Sequence, residues 1–244
     1  MAGTTDKAKN TATVDATQRP RDAATLIIVD DTDTTPKILM GKRRTDQVFM
    51  PGKFVFPGGR VDATDKDIAS ADELADDEAR KLLHDMKGHP SPGRARAIAM
   101  AGIREVFEET GIIIGHATDQ PPTTEVPGWS DFFKNGYLPS LSNLCFFARA
   151  ITPPGRPRRY DTRVFCLPAS HIGFDTGQRD EELSEIGWYT IEDSTQLDLP
   201  PITRVILEDL HDQLKSGPLG PSRKAVPYYH QRRGTFFRDL IDID

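Results

Sequence analysis

Three glutamates of the segment REVFEETG have the type and the spacing of a metal-binding group. They are Glu105, Glu108 and Glu109, at positions i, i+3 and i+4 of a segment with helical periodicity. At 3.6 residues per turn, side chains at these positions share an arc of about 100° on one side of a helix. Like charges so placed repel each other, and a hard divalent cation such as Mg²⁺ or Mn²⁺, which prefers carboxylate oxygens, converts the repulsion into binding. A solvated acidic face balanced by Arg104 is the alternative interpretation.

The helix that carries these carboxylates has recognisable ends in the sequence. Ser91 suits the N-cap, Pro92 suits the first turn, and Gly111 suits the left-handed residue that follows a helix. The helix is therefore predicted over residues 93–110. Its opposite side carries an apolar stripe that can pack on a sheet, formed by Met100, Ile103, Val106 and Phe107.

Short apolar runs between turn-rich segments predict the strands of that sheet. Residues 25–30 and 37–43 flank the turn-rich DDTDTTP and are predicted to pair, and further strands are predicted at FVF, LCFFARAIT, TRVFCL and IGWYTI. A first helix is predicted after the capping-box pattern at residues 70–73, and a C-terminal helix is predicted over PPITRVILEDLHDQLK. This alternation indicates an α/β (α+β) fold, with a mixed sheet flanked by helices.

The composition favours a soluble globular protein with one domain. The chain has 244 residues, of which 37% are hydrophobic and 28% are charged. Its net charge of −6 disfavours a nucleic-acid polymer as the ligand, because binding to a phosphate backbone requires excess Lys and Arg. Residues 1–20 lack an apolar core, so we expect a disordered leader, no membrane association and a cytoplasmic location. Cys145 and Cys166 stand in apolar runs and are predicted to be buried thiols.

The glutamate segment resembles the second half of the Nudix box. The family pattern is Gly, five residues, Glu, seven residues, Arg-Glu-aliphatic-x-Glu-Glu-x-Gly-aliphatic; here REVFEETGI is preceded at a distance by FPGG, residues 56–59. Counting forward from Gly59 puts Asp65 at the first Glu position, and counting back from Arg104 puts Arg96 there. The box is therefore interrupted by an insertion of about thirty residues. The resemblance implies a Nudix domain over residues 21–215, an α-β-α sandwich with the insertion at about residues 63–92.

The resemblance also implies a reaction, the hydrolysis of a diphosphate bond in a nucleoside-diphosphate-linked small molecule. The box glutamates Glu105, Glu108 and Glu109 would hold Mg²⁺ or Mn²⁺ with the backbone carbonyl of Gly58, and Arg104 would orient Glu105. The ions would lower the pKa of a bound water and position it for attack on phosphorus. Glu182 and Glu185 stand where family members often place another ligand or the base, with ordinary surface charges as the alternative.

The substrate class depends on two arginine-rich segments. TPPGRPRRYDTR, residues 152–163, carries four arginines and a tyrosine between two predicted strands, so that Arg159 and Arg163 can meet substrate phosphates; a solvated loop is the alternative. With FPGG and the insertion, this segment resembles the insertion-bearing, coenzyme A diphosphatase-like branch of the family over residues 25–210. The coenzyme A signature is matched loosely by LMGKRRTDQVFMPGKFVFPGG, where Arg43 or Arg44 takes the place of its arginine and its histidine is missing.

The implied substrate is therefore coenzyme A or one of its thioesters. ADP-ribose or another nucleotide-sugar diphosphate is the alternative, and so is a non-catalytic Nudix-fold module that senses a nucleotide. Residues 216–244 form a C-terminal tail whose pattern predicts no role. Its aromatic pair, Phe236 and Phe237, suits docking on a second subunit in a homodimer as well as docking on its own domain.

Overall fold

The computed structural model describes residues 18–220 and 225–243, so most of the predicted leader lies outside the described residues. Its helices are α1 (Asp76–Leu83), α2 (Pro92–Thr110), α3 (Trp129–Lys134), α4 (Ile191–Ser194) and α5 (Pro201–Ser216). The strands of the first half are β1 (Arg21–Asp30), β2 (Lys37–Arg43), β3 (Phe54–Val55), β4 (Gly58–Arg60), β5 (Ile112–Ala117) and β6 (Tyr137–Pro139). Those of the second half are β7 (Cys145–Ile151), β8 (Tyr160–Pro168), β9 (Ile172–Asp175), β10 (Leu183–Thr190), β11 (Val226–Arg232) and β12 (Thr235–Ile241).

The described strands form one large mixed sheet and one small antiparallel sheet. The large sheet has the order β10-β2-β1-β8-β7-β11-β12, with β3 beside β2 and β4 beside β1. Within it β1 is parallel to β8 and β11 is parallel to β7, whereas its other pairs are antiparallel. The small sheet has the order β6-β5-β9. The predicted mixed sheet is confirmed, and so is the predicted pairing of the first two strands, in which Val29 lies opposite Ile38.

Helices pack on both faces of the large sheet because β1 alternates two sets of apolar side chains. Leu26 and Ile28 belong to the core beneath α2, whereas Ile27 and Val29 belong to the core beneath α5. All four side chains are fully buried, and burial of one such side chain contributes about 1.5–3 kcal/mol. Helix α2 lies especially close to β1 at Gly102, where a Cβ would overlap the side chain of Leu26. The result is the expected α-β-α sandwich.

The ends of α2 agree with the prediction from sequence. The Ser91 hydroxyl accepts a hydrogen bond from the Arg94 N–H, Pro92 begins the helix, and Gly111 follows it with a φ of 78°. Gly111 therefore adopts the left-handed conformation that a residue with a Cβ adopts at a cost. The helix is held at both ends by local chemistry.

The predicted first helix is present, but the capping box does not begin it. Helix α1 starts at Asp76, after an N-cap residue, Ala75, that makes no side-chain cap. The Ser70 hydroxyl bonds instead to the carboxylate of Glu73, and both side chains accept hydrogen bonds from the Arg96 guanidinium of α2. A charged partner from another element thus replaces the backbone N–H groups that the capping box would have bound.

The C-terminal segment contributes the far edge of the large sheet. Strand β11 pairs with β7, and β12 returns beside β11, with Val226 and Ile241 buried in the core. Cys145 and Cys166, predicted to be buried thiols, are both buried and lie opposite each other on β7 and β8. Across residues 18–220 and 225–243, no helix is long and apolar enough to cross a membrane.

Candidate active site

The acidic end of α2 packs against the glycine backbone of β4. The Gly58 N–H donates a hydrogen bond of 2.8 Å to Oε2 of Glu109. At Gly59, a Cβ would lie 2.6 Å from Oε1 of Glu105 and nearer still to its carboxyl carbon. Only a glycine at this position allows the strand to approach the helix so closely. FPGG and REVFEETG, which are distant in the sequence, therefore meet in the fold.

Arg104 joins the carboxylates of the site into one hydrogen-bonded network. Its Nη1 donates to Oε1 of Glu105 at 2.9 Å and to Oε2 of Glu108 at 2.8 Å. Its Nε and Nη2 donate to the two oxygens of Asp65 at 3.0 and 3.2 Å, and Nη2 also donates to the carbonyl of Arg60. A planar guanidinium with this many partners has little rotational freedom. The structure thus places Arg104 in contact with Glu105, the residue that the resemblance implies it orients.

Asp65 is completely buried and binds the guanidinium of Arg104 through both carboxylate oxygens. Besides the two bonds from Arg104, its carboxylate accepts the indole Nε1–H of Trp129 at 2.8 Å and the N–H of Asp62 at 2.8 Å. Arg96, which the backward count places at the same box position, bonds instead to the carbonyl of Lys66 and to Glu73. The geometry therefore favours the forward count, with the insertion beginning after Asp65.

Negative charge exceeds positive charge at the mouth of the site. Burial raises the pKa of Glu105 to about 7, against the opposing effect of Arg104, and burial also raises the pKa of Glu108. Glu109 is 2% exposed, and burial raises its pKa well above the ordinary value, against the opposing effects of the Gly58 N–H and of Arg43, which lies 3.9 Å away. A divalent cation would relieve this imbalance, and carboxylate oxygens are the ligands that Mg²⁺ and Mn²⁺ prefer.

The carboxylates of Glu105, Glu108 and Glu109 lie at the same end of α2, but their oxygens do not form a set of metal ligands. Among the described residues, no three acidic, histidine or cysteine side chains form a group that could hold a metal ion as they stand. Instead the oxygens of Glu105 and Glu108 accept hydrogen bonds from Arg104, and that of Glu109 accepts the Gly58 N–H. The donor chemistry and the excess negative charge fit a divalent cation.

A further acidic residue lies at the site through the segment that precedes β10. The Asp180 N–H donates to the carbonyl of Glu108 at 2.9 Å, and Thr176 binds the carbonyl of Gly111 through its N–H at 3.0 Å. Asp180 is thereby held over the end of α2, and burial raises the pKa of its carboxyl. From the same acidic run the sequence pattern indicated Glu182 and not Asp180, because the run does not reveal which of its residues bonds to the end of α2.

The other predicted site residues of this region lie at different depths. Arg43 is 15% exposed and stands between Glu109 and Glu182, at 3.9 and 3.8 Å. Glu182 is 57% exposed at the rim, and Arg44 bonds there to Asp46 and Glu181. Glu185 accepts a hydrogen bond from the Tyr189 hydroxyl on β10 and makes no described contact with the box glutamates.

The two arginines predicted to meet substrate phosphates make other contacts in the structure. Arg163 is fully buried and bonds to Asp22 and Asp161, each at 3.0 Å. The guanidinium of Arg159 donates to the carbonyls of Thr152 and Gln18. The structure therefore does not place these arginines at the box glutamates. Their side chains instead connect β8 and the residue before it to neighbouring segments.

Comparison with known proteins agrees with this fold. No protein-family model matches the chain. The putative Nudix hydrolase 7 of Caenorhabditis elegans is 30% identical over 157 residues, which cover 60% of this chain and 44% of that relative. A Nudix hydrolase from Alicyclobacillus acidocaldarius matches with a TM-score of 0.59 and 23% identity, over 87% of this chain and 100% of that one. The Nudix domain of NrtR from Shewanella oneidensis, solved with ADP-ribose, has a TM-score of 0.45 and 16% identity over 82% of this chain and 91% of that one.

The chain thus spans less than half the length of the curated relative that it matches. The structural match shows that the chain has the fold of a Nudix hydrolase, as the sequence predicts. The sequence match supports the resemblance to the superfamily that the interrupted box indicates.

Proposed function

We propose that this chain is a Nudix diphosphohydrolase, which uses Mg²⁺ or Mn²⁺ to cleave a diphosphate bond in a nucleoside-diphosphate-linked small molecule. The observation that carries the proposal is the network around Arg104, which holds Glu105 and Glu108 beside the glycine backbone of β4. A solvated acidic face, the alternative interpretation, would leave these side chains exposed and without a buried anchor. Arg104 is 6% exposed and Asp65 is fully buried, so the network belongs to the interior.

The roles of the residues follow from their positions. Glu105, Glu108 and Glu109 would hold the divalent cations with the backbone carbonyl of Gly58. When bound, the cations supply charge neutralisation of the diphosphate and lower the pKa of a coordinated water. Arg104 restricts the carboxylates to a narrow range of orientations, which lowers the entropic cost of assembling the site.

The proton acceptor is proposed to be Asp180 or Glu182. The Asp180 N–H bonds to the carbonyl of Glu108 and partial burial raises the pKa of the Asp180 carboxyl, whereas Glu182 lies at the rim beside Arg43. Glu185 is left out of the proposal, because its carboxylate accepts the Tyr189 hydroxyl away from the box. Arg43, between Glu109 and Glu182, is proposed to meet a substrate phosphate, with Arg44 at the rim.

Coenzyme A or one of its thioesters is the proposed substrate class. The insertion after Asp65, FPGG and the proline-arginine segment at residues 152–163 support it, because they carry the resemblance to the coenzyme A diphosphatase-like branch. ADP-ribose and other nucleotide-sugar diphosphates form the competing class. Both classes present a diphosphate flanked by a nucleoside, so they require the same cation chemistry and differ in the contacts beyond it.

The test is hydrolysis of a panel of diphosphates with Mg²⁺ or Mn²⁺ by the native chain, by Glu108→Gln and by Glu208→Gln. Glu208 is an exposed residue of α5, so its variant is the matched control. We expect Glu108→Gln to lower kcat by about 100-fold or more, the effect of removing one electrostatic group from an active site, and the control to retain full activity. Equal activity of Glu108→Gln and native chain would refute the site assignment.

Product analysis separates the substrate classes. Cleavage of coenzyme A at its diphosphate must release 3′,5′-ADP and a phosphopantetheine fragment, whereas cleavage of ADP-ribose releases AMP and ribose 5-phosphate. Saturable binding of a panel member without turnover would instead indicate a nucleotide-sensing module.

A further inference from the structure

Trp129 lies outside both halves of the box but directly beside its charge network. Its Nε1–H donates to Oδ1 of Asp65 at 2.8 Å, and both residues are fully buried. An indole N–H is a donor only, and a buried one requires an acceptor. The same Oδ1 receives the Nε–H of Arg104 at 3.0 Å, so Trp129 and Arg104 bind one oxygen from two directions.

The packing of α3 holds this indole in place. The Trp129 ring contacts that of Phe132, with centroids 5.3 Å apart, and Phe132 makes an edge contact with Phe107 of α2 at 5.3 Å. The preceding residue, Gly128, has a φ of 76° and lies against Glu108, because a Cβ there would be 2.9 Å from the carboxyl carbon. Gly128 and Trp129, at the start of α3, therefore contact Glu108 and Asp65 of the network, respectively.

We propose that Trp129 is a positioning residue of the active site, which acts through Asp65 and Arg104 on Glu105 and Glu108. This inference rests on the proposed function, because it takes the two glutamates as cation ligands. Without the indole N–H, Asp65 would keep its bonds to Arg104 and to the Asp62 N–H but lose the bond that fixes Oδ1 from the α3 side. The carboxylate could then rotate, and Arg104 would follow it.

The experiment measures Mn²⁺ binding to the metal-free protein by electron paramagnetic resonance, in the absence of substrate. Trp129→Phe removes the N–H and keeps an aromatic side chain. We expect its Mn²⁺ Kd to rise by about 10- to 100-fold, the effect of losing a residue that orients metal ligands. Phe165→Leu is the matched control, since Phe165 is a fully buried aromatic residue of the same core, packs its ring on Phe146 and makes no described polar contact with Asp65. Its Mn²⁺ Kd should stay at the native value.

A double-substitution cycle tests whether the effect passes through Asp65. In an Asp65→Asn background, Trp129→Phe should raise the Mn²⁺ Kd much less than it does alone, because the two changes break the same connection. An equal rise in both backgrounds would overturn the proposed route. Should Asp65→Asn fail to fold, the comparison of Trp129→Phe with Phe165→Leu still decides, and equal Kd values for these two variants would overturn the proposal.

Failure of this inference can be distinguished from failure of the proposed function. A native chain that binds Mn²⁺ and hydrolyses a diphosphate, beside a Trp129→Phe variant with native Mn²⁺ affinity, would overturn the role of Trp129 alone. A native chain that hydrolyses no panel member, but whose Mn²⁺ binding weakens in Trp129→Phe, would overturn the proposed reaction and support the positioning role.

Discussion

Gly59→Ala should separate catalysis from stability more clearly than any other single change in the site. The backbone of Gly59 is not among the positive-φ residues, so alanine can adopt its conformation. The new Cβ would lie 2.6 Å from Oε1 of Glu105 and nearer still to the carboxyl carbon. Ordinary contact between such atoms begins at roughly 3.5 Å, so the carboxylate must move by about 1 Å. Its bond to Arg104 at 2.9 Å must lengthen or break as it does so.

The size of the effect follows from this displacement. A catalytic group misplaced by about 1 Å can cost about 100-fold in rate, which corresponds to about 2.7 kcal/mol in the activation free energy. The free energy of unfolding should change by less than about 1 kcal/mol, because the yielding atoms are the far end of a side chain and alanine also restricts the unfolded state. The measurements are kcat on the best substrate of the panel and urea denaturation of the same preparation.

Gly93→Ala is the matched control for this prediction. Gly93 lies in the first turn of α2. Apart from its chain neighbours and the backbone of its own helix, no atom of the described residues lies within 4 Å of the position that a Cβ would take. The variant should keep native kcat and gain up to about 1 kcal/mol of stability, the difference in helix propensity between glycine and alanine. Native kcat in Gly59→Ala as well would refute the reasoning, because Glu105 would then tolerate displacement.

Three further predictions concern the proton acceptor, the charge of the site and the buried arginine. Asp180→Asn should lower kcat by about 100-fold or more with an unchanged circular dichroism spectrum, and native kcat would exclude Asp180 as the base. Because burial raises the pKa of Glu105 from 4.5 to about 7, its stabilising contribution in the metal-free protein is full below pH 4.5 and is lost as the pH rises through 7. Saturating Mg²⁺ should therefore raise Tm more at pH 8 than at pH 6, and an equal rise, seen by scanning calorimetry, would contradict a cation bound at Glu105. Arg163→Met should leave the free energy of unfolding at or above its native value, because Asp22 keeps its ion pair with Arg94 and Asp161 keeps its ion pair with Arg149, and it should leave KM unchanged; a raised KM would restore a substrate role to Arg163.

The parts of the fold that sequence predicted are those decided by local chemistry. Helix α2 could be bounded to within one residue because its ends depend on Ser91, Pro92 and Gly111 themselves. The start of α1 could not be predicted in this way, because Ser70 and Glu73 bind the guanidinium of Arg96, which is 23 residues or more away in the sequence. Competition between a local cap and a distant charged partner leaves no trace in the local pattern.

The site divides in the same way. The glutamates of α2 were predictable because helical periodicity places them on one side, and FPGG was found through the family pattern. Trp129 was not, because its contact with Asp65 spans 64 residues and nothing in its neighbourhood marks an indole that faces a carboxylate. Strands β11 and β12 also escaped prediction, since β11 mixes polar residues with a proline and its pairing partner is β7, far back in the chain.

The bond between the Arg96 guanidinium and the carbonyl of Lys66, at 2.9 Å, bears on how this box could have acquired its extra segment. It joins the first residue of the insertion, as the forward count defines it, to a side chain in the first turns of α2, so the segment is tied to the helix to which it leads. A segment tied in this way can change in length between its two fixed points with little displacement of the elements on either side. Lengthening it costs only about 0.6 kcal/mol of loop entropy for each doubling. Related proteins with the same chemistry are therefore expected to differ in the length of this segment while keeping Asp65 and Arg104 in contact.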